Sequence, residues 1–121
     1  MKRDMDLCRE ILLQIEKSPQ KVVYNFTIVG YEKDILKYHC DLLKQAGFLK
    51  RSSKDITGEL MVGDLTWEGH EFIDKIRQDT VWNKVKEIIS KKGLPMAFDV
   101  IKNVTSSVMA AMTQGAIQGM F

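Results

Sequence analysis

The sequence predicts a mainly α-helical domain with a small β-hairpin, an α+β fold, on three observations. Residues 32–46 carry apolar side chains at helical spacing and stop at Gly47. Residues 49–65 hold two short alternating runs on either side of a polar turn at 54–58. A new helix then opens behind Thr66, whose hydroxyl can take an orphan amide of the first turn. Helix, hairpin and helix in that order make the back half of a winged helix, where the first helix enters a major groove and the hairpin is the wing beside it. The expectation is a winged-helix-like domain over residues 1–78. A C-terminal helical extension over 79–121 packs on the same domain or on a second chain.

A chain of 121 residues is long enough to bury roughly two-thirds of the surface its unfolded form exposes, so no covalent staple is needed. Lys and Arg number 18 against 16 Asp and Glu, a net charge of only +2, so a nucleic-acid reading must rest on where the charges lie. Cys8 and Cys40 are too few and too far apart for a disulfide framework, and the N-terminus holds no apolar signal segment. A cytoplasmic location is expected, with both thiols in packing roles beside apolar helical faces.

In chain order, Met5, Cys8, Ile11, Leu12 and Ile15 share one face of a helix over residues 4–17, with Asp4 and Asp6 favoured in its first turn. Ser18-Pro19 ends it, because the residue before proline is pushed out of the α region. KVVYNFTIVGY, residues 21–31, is β-branched and aromatic and reads as extended, closed by Gly30. A standard helix-turn-helix has a short helix in this interval, and no 3.6-residue period begins before Glu32.

The helix over 32–46 turns Ile35, Leu36, His39, Leu42, Leu43 and Ala46 inward. His39 in that arc is expected as a hydrogen-bonded core histidine. Lys33, Lys37 and Lys44 project within about 40° of one another, beside Asp34 and Asp41. That stripe is either a solvated charged face or a phosphate-binding one. Gly47 suits a left-handed cap, sealed by Phe48 and Leu49. The first wing strand is expected over 49–53, with Lys50, Arg51 and Lys54 basic and Asp55 and Glu59 offsetting them. On the return strand Leu60, Val62 and Leu65 face inward and Met61 outward.

In the helix behind Thr66, Leu65, Gly69, Phe72, Ile73 and Ile76 share a face, while Trp67 points about 120° away and must pack elsewhere. The next helix starts at Asp79 or Thr80 and gathers Val81, Trp82, Val85, Ile88 and Ile89 in one arc, stopped by Gly93 and Pro95. A last helix over 96–114 is expected to bury Ala97, Val100, Ile101, Val104, Val108, Ala111 and Met112. No charged side chain follows Lys102, and Asn103, Thr105, Ser106, Ser107, Thr113 and Gln114 carry the polar face. That much polarity argues against a membrane span. An uncharged tip over 110–121, with Gly115 and Gly119 at helix-approach spacing, points to self-association, most simply as a dimer.

The segments MKRDMDL, GYEKDILKYHCDLLKQAGFL, LTWEGHEFID and DTVWNKVKE resemble a family of small bacterial and phage proteins classed as a domain of unknown function. The resemblance runs to about Lys92 and implies a winged-helix-like fold, with no activity or site attached. More distantly, YHCDLLKQAGFL is similar to the recognition-helix segment of the arsenic-sensor and multiple-antibiotic-resistance repressors. LTWEGHEF looks like the Leu-Thr-x-x-Gly start of the helix after their wing.

Enzymatic chemistry is not expected. His70-Glu71-Phe72-Ile73-Asp74 misses the H-E-x-x-H zinc signature at its fifth position, and neither a Gly-rich phosphate loop nor a G-x-S-x-G elbow occurs. No catalytic, cofactor or metal residue is assigned. The reading is a DNA-binding regulator of a bacterium or phage, with Lys33, Lys37 and Lys44 on phosphates of double-stranded DNA and Lys50, Arg51 and Lys54 on the wing. The alternative is a winged-helix module that docks protein and binds no DNA.

Overall fold

The computed structural model describes residues 1–120, with side chains through residue 112. Its elements are α1 (Met5–Lys17), β1 (Val22–Val23), α2 (Lys33–Gln45), β2 (Ser52–Lys54), β3 (Leu60–Gly63), α3 (Trp67–Ile76), α4 (Asp79–Lys92) and α5 (Phe98–Met120). The fold is therefore α+β, mainly helical with one small antiparallel sheet in the order β1-β3-β2. The chain forms two compact units, Met1–Ile73 and Asp74–Phe121, each described by itself below.

In the first unit, Asp4 caps α1 by accepting the Leu7 amide on its side chain, and Ser18 leaves the helix in extended conformation ahead of Pro19. Met5, Leu7, Cys8, Ile11, Leu12 and Ile15 are buried. Each large aliphatic among them contributes roughly 2 kcal/mol relative to exposure. Against them lies α2, whose buried line is Leu36, His39, Cys40 and Leu43. The expected arc was too wide: Ile35 and Leu42 are half-buried and Ala46 is exposed, since Ala46 is already the C-cap. Gly47 follows at φ 85° and turns the chain back, so that Phe48 and Leu49 are sealed under that end.

The 21–31 segment is not the strand its composition predicts. Only Val22 and Val23 pair, with Gly63 and Val62, because Asn25 takes a left-handed φ of 52° and turns the backbone out of the ladder. Residues 24–32 then run as turns to α2, with Phe26 buried and its amide bonded to the Leu60 carbonyl. No helix occupies this interval. The hairpin strand β2 begins later than expected, at Ser52, although Leu49 bridges Leu65 and the Lys50 amide reaches the Asp64 carbonyl in the same register. Leu60, Val62 and Leu65 point inward and Met61 is half-buried.

At the start of α3 the Thr66 hydroxyl accepts the Gly69 amide at 3.0 Å and donates to the Gly47 carbonyl, so one cap also closes the end of α2. Phe72 stacks on Phe48 with centroids 4.8 Å apart. Trp67, expected to pack elsewhere, is 76% exposed: as the first residue of α3 it projects beyond the side buried by Phe72 and Ile73.

In the second unit, α4 buries Val81, Trp82, Val85 and Ile89, leaves Ile88 half-buried and ends on Gly93 at φ 65°. α5 starts two residues later than expected and runs to Met120. Its buried face is Ile101, Thr105 and Val108; Val100 and Val104 are half-buried, and Ala111 and Met112 are exposed. The inward line thus runs one position C-terminal to the expected Val100 and Val104 over the first two turns. The expected association tip beyond Met112, including Gly115 and Gly119, lies outside the described side chains. Among the described residues no helix is long and apolar enough to cross a membrane.

Candidate nucleic-acid interface

The outward side of α2 and the β2–β3 hairpin bring together the six cations that the sequence singles out, but not as one basic surface. Lys33 Nζ lies 3.0 Å from Glu59 Oε1, and Lys54 Nζ lies 3.5 Å from Asp34 Oδ1. These two pairs run in opposite senses between the start of α2 and the tip half of the hairpin, Lys54 ending β2 and Glu59 immediately preceding β3. Lys37 Nζ meets Asp41 Oδ1 at 2.5 Å within α2. Exposed pairs of this kind stabilise by little, about 0–1 kcal/mol each. Their larger effect is on the potential, because each lysine faces a carboxylate instead of open solvent. Lys44, Lys50 and Arg51 form no ion pair among the described residues, and Arg51 Nε donates to Ser53 Oγ at 3.0 Å. The unit Met1–Ile73 holds 11 Lys and Arg against 12 Asp and Glu, a net −1; the remainder holds 7 against 4, a net +3.

Asp41 joins helix to hairpin. Its Oδ1 accepts both Lys37 Nζ and, at 2.7 Å, the Ser52 hydroxyl of β2. Burial pushes this carboxyl up, but the Lys37 and Ser52 hydrogen bonds, with the charges of Lys37 and Lys44, outweigh burial and hold it below its ordinary value. At the hairpin tip Asp55 Oδ1 accepts from the Thr57 hydroxyl, the Thr57 amide and the Glu59 amide, and these bonds hold its carboxyl low as well. The tip is a built turn around Gly58 at φ 86°.

The feature not foreseen in the sequence is apolar. Val29 and Ile56 are fully exposed, and Tyr24 and Tyr31 project from the same loop as Val29. The Phe26–Leu60 hydrogen bond and the Lys33–Glu59 pair hold that loop along the tip end of the hairpin, where Ile56 sits. A signal was available: Val29 precedes Gly30 and Ile56 lies inside the polar turn, both places from which a side chain does not reach a core.

His39 is 1% exposed and has both ring nitrogens engaged. Cys8 and Cys40 are fully buried; burial pushes each thiol up to about 12, far from the range of a reactive thiolate. His70 is exposed, with Nδ1 3.8 Å from Glu16 Oε2. Among the described residues no three His, Cys, Asp or Glu side chains cluster as a metal site would require.

Residues 2–95 match a family described as "Hypothetical protein (DUF2513)". The chain belongs to the DUF2513 family. A relative of similar length, named only as an uncharacterized protein of Haemophilus influenzae (strain KW20 / Rd), is 38% identical over 118 residues, which is 93% of this chain and 98% of that protein. No solved structure matches. For this DUF2513 protein the relatives carry the family and nothing about chemistry.

Proposed function

We propose that this DUF2513 protein is a non-enzymatic winged-helix module that docks other proteins through the loop over residues 24–31 and the hairpin tip. The order α1, β1, α2, β2, β3, α3 with the sheet arranged β1-β3-β2 supports the winged-helix reading. The observation that carries the docking reading is the contrast across one surface. Lys33, Lys37 and Lys54 are each matched by a carboxylate, while Val29 and Ile56 beside them are fully exposed. Such a face attracts phosphate weakly and has apolar side chains to bury against a partner. Self-association through the C-terminal helix belongs to the same reading, because that helix carries no charge after Lys102.

The test is a Val29→Asp, Ile56→Asp variant beside the wild type. Both are to be used to capture partners from lysate of the host bacterium and titrated with random duplex DNA at low salt. A protein retained by the wild type and absent from the variant, without DNA binding by either, is the expected outcome. DNA binding that survives the variant would overturn it.

The regulator reading keeps one observation of its own. Lys44, Lys50 and Arg51 lie at the end of α2 and the base of the hairpin and form no ion pair among the described residues, so any duplex would be held there. In that case removing these three charges should flatten the slope of log affinity against log salt by about 0.9 for each phosphate no longer neutralised.

A further inference from the structure

The second unit carries an apolar groove whose walls name its occupant. Lys92 and Ile88 of α4 face Asn103, Val104 and Ser107 of α5 around a hollow of about 280 Å³. One turn along, Lys84 and Ile88 face Ser107, Val108, Ala111 and Met112 around a second of about 200 Å³. Falling numbers on α4 against rising numbers on α5 show the two helices antiparallel, and the shared Ile88 and Ser107 make the hollows one groove. The buried seam of Val85, Ile89, Ile101 and Thr105 lies on a different side of both helices. Nothing among the described residues of the unit fills the groove: Met112, in its wall, is 49% exposed.

We propose that this groove seats α5 of a second copy, making a two-fold dimer of helical hairpins; the inference rests on the self-association reading above. Three features select a second copy. A two-fold interface must be self-complementary, and Ala111 and Met112 are at once part of the wall of the groove and exposed surface of the helix that enters it. The unit's net charge of +3 opposes pairing of two copies unless the interface excludes charge, and α5 brings none after Lys102. The groove's cations stay at its rim, with Lys84 3.8 Å from Glu87, so each copy meets an uncharged helix and not another lysine. Met112 supplies a flexible thioether side chain that adapts to a helix surface.

Sedimentation velocity on the full chain over roughly 1–100 µM, with Met112→Lys and Ser107→Lys, tests this directly. Both substitutions fall at exposed positions, so helix content by circular dichroism should be unchanged. The wild type is expected at twice 13.9 kDa, and each variant should dissociate with a Kd raised roughly ten-fold or more. A monomeric wild type would sink both the self-association reading and the groove. A dimer indifferent to both lysines would leave self-association standing and remove the groove as its seat. If Met112→Lys loses helicity, Ser107→Lys, more than one turn earlier on the same helix, decides alone.

Discussion

The imidazole of His39 accepts the Asp4 amide on Nε2 at 2.9 Å while its Nδ1 donates to the Ile35 carbonyl at 2.8 Å. One ring in α2 thereby positions the capping residue of α1, and the two partners assign the tautomer with its proton on Nδ1. His39→Ala leaves the Asp4 amide without an acceptor and a hole between two helices. It should lower stability by about 1–3 kcal/mol. Urea denaturation at neutral pH measures this, with an unchanged m-value expected. Partner binding at Val29 and Ile56, which lie outside both helices, should not change.

Gly69 sits where α3 crosses the carbonyl of Phe48, and a Cβ there would lie 2.3 Å from that oxygen. Backbone cannot rotate aside as a side chain can, so Gly69→Ala must push α3 off the Phe48–Phe72 stack. Overpacking of this kind costs about 1–3 kcal/mol. The gain in helix propensity, about 1 kcal/mol, offsets only part of it. Thermal unfolding should show a lower Tm, with near-ultraviolet circular dichroism reporting the altered Phe and Trp environment.

The parts of the fold readable in the sequence were those set by local rules. Gly47, Gly93, Thr66 and Ser18-Pro19 mark where elements stop and start, and the structure places a helix or strand end at each. What was not readable depends on distant partners. Nothing within residues 21–31 says that only Val22 and Val23 find a strand to pair with, since their partners Gly63 and Val62 lie far along the chain. The lysine stripe had the same weakness. Helical phase put Lys33 and Lys37 on one face, but Glu59 and its approach to Lys33 are products of the hairpin's folding back. The inward face of α5 was displaced because Thr105, a polar residue, occupies its centre.

Asp41 predicts an acid-sensitive link between α2 and the hairpin. Its folded pKa lies below the ordinary 3.8, so the carboxylate favours the folded state above that value. The contribution is lost as pH falls from about 3.8 through the folded pKa. With 41% of the side chain exposed, the effect is screened to under about 1 kcal/mol. Asp41→Asn should therefore be less stable than wild type at pH 7, and the two curves should converge in strong acid. A gap that persists at the lowest pH would locate the loss in the Ser52 hydrogen bond geometry instead of the charge.

Cys8 and Cys40 predict the opposite limb. Burial raises both thiols from 9.0 to about 12, so the unfolded chain releases these protons before the folded one does. Stability from this source is complete below pH 9.0 and falls as pH rises toward 12. Replacing Cys40 by Ala should flatten that alkaline decline, and in the native wild type neither thiol should react with a disulfide reagent faster than the chain opens.

Thr105 gives the sharpest case for stabilisation by substitution. It is fully buried at the centre of the α5 inward face, between Ile101 and Val108, and its hydroxyl oxygen has no hydrogen-bond partner among the described residues. A buried hydroxyl without a partner loses its hydration and gains nothing in return, at a cost of about 1–3 kcal/mol. Valine has nearly the same shape and β-branching, so the helix loses little propensity and the seam with α4 keeps its volume. Thr105→Val should therefore raise stability, by about 1 kcal/mol or more, while Thr105→Ala forfeits part of that gain through the cavity it leaves. Urea midpoints of the three proteins at one protein concentration separate these effects. A Thr105→Val protein less stable than wild type would mean that the hydroxyl is bonded in solution, most simply to the carbonyl one turn back in α5.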